Sequence, residues 1–530
     1  VHKMRGIVLV ACILLASSEK AWIPGSARDA VEVASENGLC LLQDSKAAIR
    51  RGHSSLEKEG QADPEVLPVT CEDQGSIEFS AALQSKYYWP NKNGDATCTG
   101  ASVVTSPFNV SGGPAWSFKD VDASLVRAQP CIDDEMNIYL AHVNGVVRKF
   151  TAEGKLLWTN DVTNGSSSSF PLPIHQIPSG PVLMDGALYV STTGGLVVGI
   201  DMASGETLWQ TKAASGQSAD ASSVMARSGM VLAAMEPSDI MKVGGNTQVV
   251  ALNSTDGHVL WRWTFPDGKT AYNWIGSFVD GPPSIVFSNA EGRPYRIRLC
   301  DGTMLWEGPT TVPSDKHWQS EMSEGGMIVG PNGVAYGTSN FKNTTGSFGL
   351  LSAFNISNGE VLWRRPQAMG TNNAPSVGKL SSDGPLSVVI ALGHHVSLPL
   401  PDTVADIMGV LAPSSALIAV DAATGEPTGW GWAPPPYRHA LMEGESLPLH
   451  MCMPDTWSNT AIDGTGTVFV GHMSGHVFAV RDADGDGRID EDAGEVAKFY
   501  GGKCYQGSPG LAPGMMVASP CDGLHVFKSK

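Results

Sequence analysis

Along most of this chain apolar residues do not recur at helical spacing. They come in short runs broken by glycine, asparagine and aspartate, the punctuation of strands and tight turns. One pattern repeats. V-V-G-I-D-M-A-S-G-E-T-L-W ends at Trp209 and V-V-A-L-N-S-T-D-G-H-V-L-W ends at Trp261, and related segments end at Trp158, Trp306, Trp363 and Trp430. Each reads as an apolar strand, a turn whose glycine (Gly154, Gly205, Gly257, Gly302, Gly359 or Gly425) can take positive φ, and a second strand closing on tryptophan. Two further strands precede each hairpin, as S-G-P-V-L-M and A-L-Y-V-S do before Gly194.

Four antiparallel strands, repeated every roughly fifty residues, make a propeller blade that cannot bury both faces alone. A seventh copy, V-F-A-V-R-D, runs into an acidic stretch and resumes as E-V-A-K-F-Y. The eighth is split: Ser508 to Phe527 supplies three strands, and G-P-A-W-S-F around Trp116 supplies a fourth with no blade before it. Pairing these two ends closes the ring and removes a free sheet edge. The expected fold is therefore all-β, an eight-bladed propeller over residues 87–530. Residues 1–18 read as a signal peptide and residues 19–86 as an irregular leader.

Composition supports this division. With 60 Gly, 34 Pro, 14 Trp and only 17% charged residues, the chain suits short strands and turns. A net charge of −18 would repel phosphate backbones, so nucleic acid is not an expected partner. Lys3 and Arg5 precede the run G-I-V-L-V-A-C-I-L-L-A and then small residues, the order of a secretory signal. No later run is long enough to span a membrane. Without Cys12, eight cysteines remain, an even number that fits disulfides in an oxidising compartment. Sequons at Asn109, Asn164, Asn253, Asn343 and Asn355 point to the same place, the secretory pathway, outside the cell or in an endomembrane lumen.

The A-x-D-x-x-T-G-x-x-x-W hairpin, best matched from Ala419 to Trp430, resembles the repeat of quinoprotein dehydrogenases and pyrroloquinoline-quinone-like propellers. W-P-N-K-N-G-D at Trp89 resembles their leading segment. The resemblance implies that Trp158, Trp209, Trp261, Trp306, Trp363 and Trp430 pack between blades. Propellers host unrelated functions, so it does not by itself imply an activity.

The stretch D-A-D-G-D-G-R-I-D offers Asp482, Asp484, Asp486, the carbonyl of Arg488 and Asp490 to a hard cation, with Gly487 permitting a sharp turn. An EF-hand would place Glu at the twelfth position, where this chain has Ala493. The pattern is closer to the D-x-D-x-D-G-x-x-D loops of other propellers, with a last ligand from Asp492, Glu495 or water. Seven acids against one arginine between positions 482 and 495 repel one another unless a cation intervenes. The expected ion is calcium in a structural role, stapling the loop of the seventh blade.

Strand parity puts that loop on the rim formed by the first–second and third–fourth strand turns. Long insertions fall on the opposite rim, together with the residues leading into each innermost strand. Among these, His175, Trp274, His317, Trp318 and Trp457 form a candidate ligand funnel for a protein, peptide or glycan. No catalytic set can be assigned. A pyrroloquinoline-quinone-dependent alcohol or sugar dehydrogenase is the alternative that the resemblance implies. The chain lacks the adjacent cysteines of the family's alcohol dehydrogenases, and its evident calcium loop sits on the other rim, so quinone is not an expected cofactor. A non-catalytic scaffold, similar in kind to the bacterial outer-membrane assembly lipoprotein, is the expected function.

Overall fold

Short apolar runs separated by glycine turns leave each strand too brief to stand alone, and the chain resolves this by stacking hairpins into sheets. A computed structural model describes residues 85–529 apart from 120–125, 127, 164–175, 219–222, 238–244, 311–318, 322–325, 344–345, 372, 394–414 and 436–455. The described residues all fall within one compact unit. They form eight antiparallel sheets.

Seven sheets are built from consecutive strands. Blade 1 comprises Cys131–Ile132, Ile138–Ala141, Val146–Phe150 and Leu156–Asp161. Blades 2, 3 and 4 begin at Val182–Met184, Val224–Arg227 and Ser277–Val279, and end at Thr207–Lys212, Val259–Thr264 and Met304–Glu307. Blade 5 carries two short first strands, Gln319–Glu321 and Ile328–Val329, both paired with Val334–Asn343, and ends at Val361–Gln367. Blade 6 runs from Ser376–Lys379 to Pro427–Trp432, and blade 7 from Ala461–Ile462 to Val496–Tyr500.

Blade 8 is the composite that the split repeat predicted. Gly510–Ala512, Met515–Ala518 and Gly523–Lys528 are completed by Trp116–Lys119, whose Trp116 lies opposite Val526. First strands of neighbouring blades touch one another, and fourth strands alternate between exposed and half-buried, as in the pattern of Leu156–Asp161. The first strands are therefore innermost and the fourth outermost.

The repeated tryptophans do pack between blades, and the structure shows how. In five of the six, the indole N–H donates to a carbonyl of the third–fourth strand turn in the next blade. Trp158 bonds Met202, Trp209 bonds Ser254, Trp261 bonds Leu299, Trp306 bonds Ile356 and Trp363 bonds Ala422. Trp116 bonds Ala152 at 2.7 Å, so the closing seam uses the same latch. The turn glycine lies against the ring, and this is where the missing side chain matters. A Cβ at Gly205 would sit 2.6 Å from Trp158 Cδ2, and φ there is +77°.

The cysteines depart from the expectation of full pairing. Cys98 and Cys131 are free and fully buried, and burial pushes both thiols well above their ordinary pKa. Each finds a weak acceptor instead: Cys98 Sγ lies 3.5 Å from the Gly276 carbonyl and Cys131 Sγ 3.0 Å from that of Pro181.

Candidate functional site

The centre of the ring holds a segment that the blade repeat does not include. Innermost strands leave a row of main-chain N–H groups facing the channel, each of which needs a partner. The segment from Trp89 to Ser106 supplies them. Trp89 exchanges two main-chain bonds with Ile132 of blade 1, and Pro90 accepts from Leu183 of blade 2. Ala96, Thr97, Thr99 and Gly100 then accept from Phe278, Val329, Val377 and Ile462 of blades 4, 5, 6 and 7. Thr105 accepts from Gly514 in the first turn of blade 8. The chain thus threads the channel and leaves on the rim of the first–second strand turns, where Ser106 N donates to Asp463 at 2.9 Å.

Two acids shape the turns that make this possible. Asp95 accepts from the N–H and hydroxyl of both Thr97 and Thr99 at 2.9 to 3.1 Å. Burial raises its pKa, against the pull of those bonds. Asp463 accepts from the N–H and hydroxyl of Thr465 and from the N–H of Thr467. The shared D-x-T-x-T pattern was a readable signal for both turns.

The acidic loop joins the third and fourth strands of blade 7, His476–Val480 and Val496–Tyr500. It therefore lies on the same rim as the exit of the threaded segment. Of its acids, Asp482, Asp484 and Glu495 are brought together, with one oxygen of each within 4.8 Å of the others. Glu495, 3% exposed, is the hub. Its carboxylate accepts from the N–H groups of Ala483 at 2.5 Å, Asp484 at 3.4 Å and Asp490 at 2.8 Å. Asp482 accepts from Gly485 and Gly487, and Asp486 and Asp490 cap the turns of Arg488 and Asp492.

The loop also interrupts the latch between blades. Trp430 is buried, yet its indole nitrogen has no acceptor among the described residues. Neither Gly485 nor Gly487 has a ring against it. In blade 7 itself Ala497 stands opposite Ala479, the register at which Trp261 stands opposite Ala251 in blade 3. Both seams of blade 7 therefore lack the tryptophan latch present at the other six.

Of the expected funnel, His175, His317 and Trp318 lie outside the described residues. Trp274 and Trp457 are 0% and 1% exposed, so neither offers a free ring face. Trp274 packs edge-on to Phe287 at 5.6 Å, and its carbonyl accepts from Ser223 N. Trp457 donates to the Leu392 carbonyl at 3.0 Å and packs on His472 at 4.2 Å. The Trp457 indole thus braces the seam between blades 6 and 7, whereas the Trp274 indole packs within blade 4 and only its main-chain carbonyl reaches blade 3.

Comparison with known proteins agrees with this architecture. The family model described as "Outer membrane protein assembly factor BamB" matches residues 143–486, more than half of the chain. A polyvinylalcohol dehydrogenase from Pseudomonas sp is 23% identical over 301 residues, covering 49% of this chain and 45% of that protein, so the chain spans less than half the length of this relative. Quinohemoprotein alcohol dehydrogenase from Comamonas testosteroni superposes with a TM-score of 0.57 at 14% identity, over 86% of this chain and 82% of that one. A europium-containing methanol dehydrogenase gives 0.56 at 15% identity, over 83% and 91%. At such identities the two structures speak for the fold alone.

Proposed function

The chain belongs to the family of the outer membrane protein assembly factor BamB, and on that footing we propose that it is a secreted or lumenal, non-catalytic scaffold that binds a protein, peptide or glycan. The observation that carries this reading is the threaded channel. Where a cofactor would need an open cleft, residues Trp89 to Ser106 hydrogen-bond to the inner strands. A quinone with its metal also needs uncommitted carboxylates. The acid on the threaded segment, Asp95, already accepts four hydrogen bonds from Thr97 and Thr99. Among the described residues, the cluster able to ligate a cation lies in the blade 7 turn. These commitments of the described channel residues support the scaffold reading over a quinone site.

Calcium in the blade 7 loop completes the proposal as a structural ion. Two oxygens held by one calcium at about 2.4 Å are at most about 4.8 Å apart. The three clustered carboxylates meet that limit, with Glu495 as the last ligand the sequence left open.

The second reading is a quinoprotein dehydrogenase, and the polyvinylalcohol dehydrogenase relative favours it. Titrating purified protein with pyrroloquinoline quinone and calcium separates the two. The scaffold reading expects no stoichiometric quinone absorbance and no dye-linked oxidation of alcohols, poly(vinyl alcohol) or glucose. A complex that turns over any of these would overturn it. Crosslinking pull-down from the secretory lumen, with and without chelator, then identifies the partner.

A further inference from the structure

The threaded segment also floors a bowl, on the rim opposite the expected funnel. The bowl encloses about 900 Å³, within the range of small-molecule sites. Its floor is the run Thr97 to Val103, and its walls are the first turns of blades 4 to 7. Apolar side chains dominate those walls, Val279, Val329, Ile356 and Leu386 among them. At the edge stands Val103, 96% exposed, an apolar residue with almost nothing covering it.

The charges around the bowl narrow its ligand. Asp95 and Asp463 are each satisfied by threonine donors. Asp280 is paired with Arg227 at 2.6 Å. Lys379 differs: it is exposed, and its ammonium reaches only the Ser382 carbonyl at 3.4 Å. An exposed ammonium with one long hydrogen bond, in the lining of an apolar concavity, favours a molecule with a hydrocarbon body and one anionic head.

We propose that this bowl is a binding site for small amphiphilic carboxylates, with the hydrocarbon against the valine-lined walls and the carboxylate at Lys379. The site is independent of the scaffold reading, because it lies on the other rim from the expected partner surface and involves neither the blade 7 ion nor a quinone.

Calorimetric titration of the full chain with decanoate, below its micellar concentration, tests the assignment, with decylammonium as the matched control. One saturable site for decanoate is expected, and markedly weaker binding of decylammonium. Lys379→Met should weaken decanoate by about tenfold. Val103→Asp should weaken it through like-charge repulsion while sparing decylammonium. Both positions are exposed, so unchanged melting temperatures will show that the variants are folded. Absence of saturable binding, equal affinity for both amphiphiles, or indifference to both substitutions would each overturn the proposal.

Discussion

The indole nitrogen of Trp261 donates to the main-chain carbonyl of Leu299 at 2.6 Å, across the seam between blades 3 and 4. The same ring fills the space where Gly302, at φ +72°, has no side chain. Trp261→Phe keeps most of the packing and loses the bond, so it should cost about 1 kcal/mol. Gly302→Ala should cost about 1–3 kcal/mol, because it adds a Cβ 2.8 Å from the ring in a left-handed conformation. Trp430→Phe is the informative contrast. Its nitrogen has no acceptor among the described residues, so denaturant midpoints should fall less for Trp430→Phe than for Trp261→Phe.

Removing calcium should lower the melting temperature. At a hundredfold excess of ion over Kd, binding to the native state alone contributes about 2.7 kcal/mol. Asp484→Asn preserves the acceptor for Asp486 N and should abolish only the calcium-dependent increment. Glu495→Gln should destabilise the protein by about 1–3 kcal/mol even in chelator, because Glu495 also holds three main-chain N–H groups. Melting curves with and without chelator separate the two effects. An identical response of both variants would remove the ion from the account.

The closing seam should respond to acid. Ser117 Oγ lies 2.8 Å from His525 Nδ1 on the paired strand. Burial lowers the His525 pKa from its ordinary 6.5, although the Asp522 carboxylate pulls it partly back. With the folded value below the unfolded one, the unfolded chain takes up the proton first. The contribution is thus present above about pH 6.5 and lost as pH falls below it. His525→Gln should flatten that part of the stability profile, as read by denaturant titration across pH.

Cys98 and Cys131 should resist alkylation in the native state. Both are fully buried, and burial disfavours the thiolate that reacts. Peptide mapping after maleimide treatment should find them unlabelled until denaturant is added. Rapid native labelling of Cys98 would mean that the threaded segment leaves the channel.

Legibility differed sharply between the ring and its centre. The eight-bladed count, the glycine turns and the split last blade were readable because the hairpin recurs with small variation and each copy obeys local rules. The latching role of the tryptophans came from the resemblance, and the structure added its acceptors. The threaded segment was not readable as such. Trp89 to Ser106 has no periodicity of its own, since its partners are inner strands far along the chain, and only the Asp95–Thr97–Thr99 pattern marked a local turn. Spacing marked the loop acids as a group, but the cluster that forms holds Asp482 and Asp484 and not Asp486 or Asp490, and Glu495 joins it only because the fold brings a residue beyond the motif back to Asp482. For the funnel, sequence order placed Trp274 and Trp457 at the heads of inner strands but carried no information on which way the rings turn. Both turned inward, Trp457 into a seam and Trp274 against Phe287 of its own blade.

The pairing of Trp116–Lys119 with Gly523–Lys528 also dictates a schedule. A ribosome delivers the strand near Trp116 early and its mate hundreds of residues later, so blades 1 to 7 must wait as an open arc. Throughout that interval the filament from Trp89 to Ser106 has to be held at the hub while successive sheets are wound around it. Emergence of Gly523–Lys528 is therefore the event that completes the circle, and truncations that remove this strand should leave nascent chains in the care of chaperones.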